Sequence, residues 1–407
     1  MFMVAARFCI ALLGIILSLF LARSRIKITT GAIVGYFLLR VLGMAVLIFI
    51  FNIPAPWDLS WLMAFLSDGF RSGSFNQWYG SLFCFMIGGI SCFVDSAFVL
   101  ILLLSTFELL GVLLIRKALD GIIGRPRSDA CLWLYMFNPI VLQGVWLSGQ
   151  DEALQIFALG VLFWLMLAGR RLLLPVAGAL MLHFTKPQSL WLVGAFLVTT
   201  RIREWVIFGL AAAGIVAIGM VTGLHVYDTA NLGAQVIVPS GNINFFADKV
   251  FGLSLDGTMM LGLIGFLFLV EGVFCMGGPE RGKPQGDGLA TALAAVLFGL
   301  TFAFFSPFVF PSYFTYAIPF LVMILVRLEL PTRTWVAYTL WSVAYSLDAV
   351  INYRIFDSVP KTNPLPLAGV FWAGGILVLH VWLFVEILLA AKTGNFSLVR
   401  GLRQFRL

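Results

Sequence analysis

The sequence predicts an all-α polytopic integral membrane protein, and three observations carry that prediction. Of 407 residues, 61% are hydrophobic and 11% are charged, whereas a soluble domain carries about 25% charged residues. Mean hydropathy is +1.01, more than a water-facing surface can accommodate. The apolar residues also come in long runs with few polar interruptions, as over 97–115 and 367–391. Such runs point to helices, because the strands of a membrane barrel alternate apolar and polar positions.

A hydrocarbon core about 30 Å thick takes about 20 helical residues, and on that measure about thirteen spans follow in order. The first, 3–22, begins around Arg7 like a signal peptide, but the spans behind it make it a first helix or uncleaved anchor. The second, 30–52, carries Arg40, a charge that needs a partner in lipid; Asp95 or Glu108 can supply it. Next come 88–115 and 129–147, the latter holding Asn138-Pro139. The span 150–169 starts at Gln150-Asp151-Glu152 and stops at Arg170-Arg171. The pair 172–185 and 187–200 is too short for two crossings and reads as a shallow hairpin with Lys186 at its tip. The remainder are 204–222, 258–277, 289–309, 312–327, 333–351 with Asp348 near its outer end, and 367–391. The chain reads as one transmembrane domain, 1–407, without internal repeats.

Charge placement orients this map. With the N-terminus outside, 19 of the 26 Lys and Arg residues fall on cytoplasmic segments, as the positive-inside rule requires. The C-terminal tail, 392–407, is then a basic cytoplasmic end near anionic lipid. The outside loops 53–80, 223–257 and 352–366 are longer and carry acids and aromatics, so the working face is the non-cytoplasmic one. No basic run suits nucleic acid. The cysteines, Cys9, Cys84, Cys92, Cys131 and Cys275, lie in or beside apolar runs without metal-ligand spacing and read as buried apolar residues.

Three places can carry chemistry. In 53–80, Asp58 shares a helical face with Trp61, Leu62 and Phe65, while Phe75, Trp78, Tyr79, Leu82 and Phe83 form the stripe of an interfacial helix. Asp58 is either a desolvated general base or a first-turn capping acid; Asp68, before Gly69, reads as a turn residue. Asp151 and Glu152 either serve a site or offset a helix dipole. Lys186, after His183, is a cation on the outside, where cations are scarce; it binds a lipid phosphate or snorkels. Lys249 and Arg354 are further outside cations, solvated or assisting at phosphate. No P-loop, zincin or nucleophile-elbow motif occurs, and no metal constellation is apparent.

The run 137–191, FNPIVLQGVWLSGQDEALQIFALGVLFWLMLAGRRLLLPVAGALMLHFTKPQSLW, resembles the central segment of GT-C superfold glycosyltransferases. It is nearest to the bacterial mannosyltransferase branch that depends on polyprenyl-phosphate mannose. The shared pattern is Asn138-Pro139, the acidic turn Asp151-Glu152, a long apolar helix ending at Arg170-Arg171, then Lys186-Pro187. SPFVFPSYFTYAIPF, 306–320, resembles a late Ser-Pro, aromatic, Pro, Tyr element of that family, and Asp58 matches an acid in its first large outside loop. Counting the whole of the loop 53–80, these matches cover about a quarter of the chain. The chain departs from the family at Ser312, where a His is frequent, and at Gln150-Asp151-Glu152, where an Asn-Asp pair is commoner. It also lacks a Tyr-Pro-Pro run and has a helix ahead of the first large loop.

The resemblance implies a GT-C-like bundle and an inverting transfer of a hexose such as mannose. The donor would be a polyprenyl-phosphate sugar, and the acceptor lipid-linked or a glycan. It implies Asp58 as base, and Lys186 with His183 at the leaving phosphate, assisted by Lys249 and Arg354. Gln150, Asp151 and Glu152 would orient sugar, and Trp57, Trp61 and Tyr79 would stack on it. No cofactor or metal is implied, and the site would face the periplasm from a bacterial inner membrane. The rival readings are a flippase or transporter of lipid-linked saccharide, and a glycan polymerase or ligase using a diphosphate lipid.

Overall fold

A computed structural model describes residues 2–50, 67–68, 81–93, 96–147, 152–170, 172–184, 189–222, 242–253, 255–280, 282–306, 311–328, 330–354 and 365–405. Among them every regular element is helical. In chain order these are α1 (Phe2–Arg23), α2 (Thr30–Ala45, continued by a π turn Val46–Ile50), α3 (Ser81–Phe93), α4 (Ala97–Ile123), α5 (Arg125–Met136), and α6 (Pro139–Val141, continued by a π turn Leu142–Leu147). Then follow α7 (Glu152–Leu167), α8 (Leu173–Phe184), α9 (Leu190–Leu197), α10 (Ile202–Thr222), α11 (Ile243–Phe251), α12 (Gly257–Met276) and α13 (Pro284–Phe305). A 3-10 turn, Pro311–Ala317, leads into α14 (Ile318–Arg327), and α15 (Thr332–Arg354), α16 (Leu367–Thr393) and α17 (Leu398–Phe405) complete the chain.

By length and composition, six of the described helices can cross a membrane: α1, α2 with its π turn, α4, α12, α13 and α16. A seventh span results if α5 and α6, bent by 44° at their junction, count as one. The bend has a local cause. Pro139 cannot donate to the helical ladder, and Asn138 before it is extended, at φ −62 and ψ 132, as a residue preceding proline prefers. Its Oδ1 accepts from the Ile140 amide at 2.8 Å and its Nδ2 donates to Tyr338 Oη at 2.9 Å, so the side chain caps the new helix and ties it to α15. The short pair read as a hairpin is α8 and α9, 12 and 8 residues long; at 1.5 Å per residue neither reaches across 30 Å.

Apolar side chains fill the interior and also cover the outer surface. The central helix is α13, with 83% of its apolar window buried, while α1 and α2 bury 22% of theirs and turn Leu13, Ile16, Leu39 and Phe49 outward. The middle of α13, GLATALAAVLFGL, is rich in Ala and Gly, which lets neighbouring backbones approach closely. The broadest helix pair is α4 with α7. Their glycines cross: a Cβ added at Gly111 would sit 2.5 Å from the Ile156 carbonyl oxygen, and one at Gly160 would sit 2.7 Å from that of Gly111.

Several charged groups inside the bundle are partnered among the described residues. Arg40 on α2 meets Glu108 on α4 at 3.0 Å, and Tyr135 Oη donates to the same carboxylate at 2.9 Å. The Arg40 guanidinium also lies over the rings of Tyr36 and Phe37. Arg116 ties α4 to Asp129 at 3.4 Å and to the Ile28 carbonyl. On α13, Thr301 donates its hydroxyl to Glu271 of α12.

Several expectations need correction. The predicted span 88–115 is divided: 88–93 belongs to α3, Ser96 is extended, and the long helix runs from Ala97 to Ile123. It outlasts the apolar run because Arg116 is buried against Asp129 instead of ending the helix. The loop 223–257 contains a helix, α11, capped at its start by Asn242 and stopped by Gly252 in the left-handed region, where glycine is favoured. Cys9 is exposed on the outer surface of α1 and Cys92 is half-buried, while Cys131 and Cys275 are buried. Asp68, read as a turn residue, is helical and exposed.

Candidate functional site

The two segments singled out in the sequence, 137–191 and 306–320, meet in space. The 3-10 turn Pro311–Ala317 packs against α6, its π turn and the helix α7. Trp191, at the start of α9, lies on Tyr316 of that turn with ring centroids 5.1 Å apart, and Phe163 of α7 stacks on Phe320 at 4.9 Å. Gly299 of α13 makes room for this: a Cβ there would fall 2.9 Å from Trp191 and 3.1 Å from Phe314. The end of α13 is fixed from the other side by α11. Asn242 donates to the Ala303 and Ser306 carbonyls, and Asn244 to that of Phe305. These side chains satisfy carbonyls that a helix end leaves without intrahelical partners.

At this end of the bundle Glu152 is the first residue of α7, with no exposed surface. An acid that only offset the helix dipole would be solvated; the complete burial of Glu152 is a different situation. Gln155 follows one turn later on the same face and is likewise fully buried. The π turn before α7 carries buried Gln143, whose amide donates to the Arg7 carbonyl at 2.7 Å. Turns of this kind recur at functional sites.

Behind the 3-10 turn lies an aromatic and histidine layer. Trp341 of α15 meets Phe314 edge-on at 4.7 Å and stacks on Tyr345 at 5.1 Å. Its indole N–H donates to His380 Nδ1 at 3.3 Å, and His380 Nε2 is 2.9 Å from the Leu300 carbonyl. An indole only donates, so Nδ1 accepts and Nε2 carries the proton, which assigns a neutral ring by its network.

The remaining sequence candidates divide plainly. Trp57, Asp58, Trp61, Tyr79, Gln150, Asp151 and Lys186 lie outside the described residues. His183 is on the last turn of α8 and Arg354 ends α15; their side chains are not described. Lys249 is half-buried on the last turn of α11, a helix that docks on α16. Of the candidates with described side chains, Glu152 begins the helix that packs on the 3-10 turn, and Lys249 lies on a separate element. Among the described residues, no three His, Cys, Asp or Glu side chains gather as a metal site would need. Sequence reasoning missed Gln155, Trp191, Thr315 and Tyr345, all buried around the turn. Gln155 alone left a signal, as an amide one turn from an acid in an otherwise apolar helix.

Comparison of the chain with protein-family models and with curated protein sequences returns no match.

Proposed function

We propose that the chain is an inverting membrane glycosyltransferase that moves a hexose, such as mannose, from a polyprenyl-phosphate donor to a lipid-linked or glycan acceptor. The observation that carries this reading is the meeting of 137–191 with 306–320. These are the two stretches whose sequences resemble such enzymes, and they pack together through α6, its π turn and α7, the helix that begins at the buried acid Glu152, although more than a hundred residues separate them. A GT-C-like bundle of about thirteen crossings belongs to the same proposal. So do an N-terminus outside, a cytoplasmic C-terminus, and a site facing the periplasm from a bacterial inner membrane.

In the proposed reaction Asp58 takes the proton of the acceptor hydroxyl as its oxygen attacks the anomeric carbon. The bond from that carbon to the phosphate oxygen breaks on the opposite face, and its electron pair leaves on the lipid phosphate. Lys186 neutralises the charge that develops there, with His183, Lys249 and Arg354 as further donors. Glu152, with Asp151 and Gln150, accepts hydrogen bonds from sugar hydroxyls and holds the reacting centre in line. Trp57, Trp61 and Tyr79 offer ring faces to the sugar.

The test uses purified protein in lipid nanodiscs with labelled donors and an envelope extract as acceptor. Label is expected to move from a polyprenyl-phosphate hexose and to stay on a polyprenyl-diphosphate hexose. Transfer only from the diphosphate lipid would make the protein a polymerase or ligase. Translocation of intact lipid-linked hexose across liposomes, without cleavage, would make it a flippase.

A further inference from the structure

Around the 3-10 turn Pro311–Ala317, neutral polar side chains are buried with hydrogen-bonding atoms left over. Both amide atoms of Gln155, the indole N–H of Trp191, the hydroxyl of Thr315 and the hydroxyl of Tyr345 have no hydrogen-bond partner among the described residues. None of the four residues is more than 3% exposed. Burying a donor or acceptor without a partner is unfavourable, and native proteins leave such groups where water or a ligand completes them.

These groups belong to one neighbourhood. Thr315 is flanked by Phe314 and Tyr316. Tyr316 carries Trp191 on its ring, and Phe314 meets Trp341, on which Tyr345 stacks. Gln155 comes from the first turn of α7, the helix on which this turn packs. The contact of Phe163 with Phe320 fixes the relative height of the two chains. The packing of the turn on both α7 and the π turn before it fixes the direction in which they run. Eight residues back along α7 is about 12 Å, and five residues back from Phe320 through the 3-10 turn to Thr315 is about 9 Å.

The chemistry of the set narrows what completes it. Glutamine, threonine and tyrosine both donate and accept, and tryptophan donates. The set has no cation, so it does not suit a phosphate, which wants donors and positive charge. Neighbouring hydroxyls on a pyranose ring each donate and accept, and a neutral mixed set matches them. Glu152, one turn from Gln155, adds an acceptor at the edge.

We infer that Gln155, Trp191, Thr315 and Tyr345 hold the hydroxyl groups of the donor's hexose. This inference rests on the glycosyltransferase reading and adds where the sugar is gripped and by which atoms. The four act as positioning residues, away from the bond that breaks.

Thr315→Val and Tyr345→Phe each remove one hydroxyl and keep the shape. The probes are a ten-carbon polyprenyl-phosphate hexose and the same polyprenyl phosphate without sugar. Binding is followed by fluorescence in nanodiscs, with thermal unfolding of the ligand-free protein beside it. Wild type is expected to prefer the hexosyl lipid, and each variant to reduce that preference about tenfold. Affinity for the bare lipid phosphate and ligand-free melting should be unchanged, or melting should rise.

An equal preference for the hexosyl lipid in wild type and both variants overturns the inference. So does a ligand-free variant that melts markedly lower, because the hydroxyl then serves the fold. Hexose transfer by the wild type, assayed alongside, separates the two claims. Transfer together with unchanged preference removes only this inference, and no transfer from any polyprenyl-phosphate hexose removes the reading beneath it.

Discussion

Arg40 shows what a single residue requires of this fold. A guanidinium inside a transmembrane helix is costly alone, and here it meets the Glu108 carboxylate at 3.0 Å with Tyr135 on the same carboxylate. Both charges are almost wholly buried. Glu108→Ala should therefore cost about 3–5 kcal/mol, read as loss of thermal stability in detergent, because it strands the arginine. The double replacement Arg40→Met with Glu108→Leu should recover most of that loss. Glu152 makes a different demand, since in the proposed function it receives sugar hydroxyls. Glu152→Gln is expected to fold and to lower kcat/KM for hexose transfer by about 10–100-fold, the worth of one charged hydrogen bond. Equal kcat/KM in variant and wild type would remove Glu152 from the site. The need of Arg40 for a partner was readable in the sequence, and so few acids are available in the apolar runs that two candidates remained, Asp95 and Glu108; the fold uses Glu108. The polar set around Thr315 was not readable, because a neutral side chain is conspicuous only when its surroundings fail to partner it.

At the scale of elements, close helix packing positions the site. The α4–α7 contact depends on Gly111 and Gly160, and α7 begins at Glu152. Gly111→Val should push α7 away from α4 and cost about 1–3 kcal/mol as overpacking. Transfer activity should fall with stability; activity kept at wild-type level in a destabilised protein would show that α7 does not position the site. Asn242 supports the far side through the last carbonyls of α13, and Asn242→Ala should lower stability by about 1–2 kcal/mol. Long apolar runs announced the helices, and Asn138-Pro139 announced the bend. The helix α11 was hidden because nine residues interrupted by Asp248 and Lys249 are too short to register as a span. Only the capping Asn242 and the terminal Gly252 mark it, and such short signals recur in turns. The end of the 88–115 run was misjudged because hydropathy cannot see that Arg116 is buried against Asp129.

For the molecule as a whole, the central claims are its orientation and its chemistry. The orientation predicts that, in a cysteine-free background, Ser24→Cys reacts with a membrane-impermeant thiol reagent only from the cytoplasmic side and Lys361→Cys only from outside; the opposite pattern would invert the topology. The helical membrane character was legible from composition together with the length of the apolar runs. The arrangement of the site was only partly so, since 137–191 and 306–320 stand out as sequences but their contact is a property of the folded chain. The most direct test of the account is release of polyprenyl phosphate and transfer of hexose by the purified protein from a polyprenyl-phosphate hexose, wild type beside Asp58→Asn. The account predicts that the wild type releases lipid phosphate in step with hexose transferred, and that Asp58→Asn, folded and still binding donor, is slower by at least about 100-fold. Equal rates in the two proteins would contradict the base assignment, and no release by the wild type with mannose, glucose or arabinose donors would contradict the account itself.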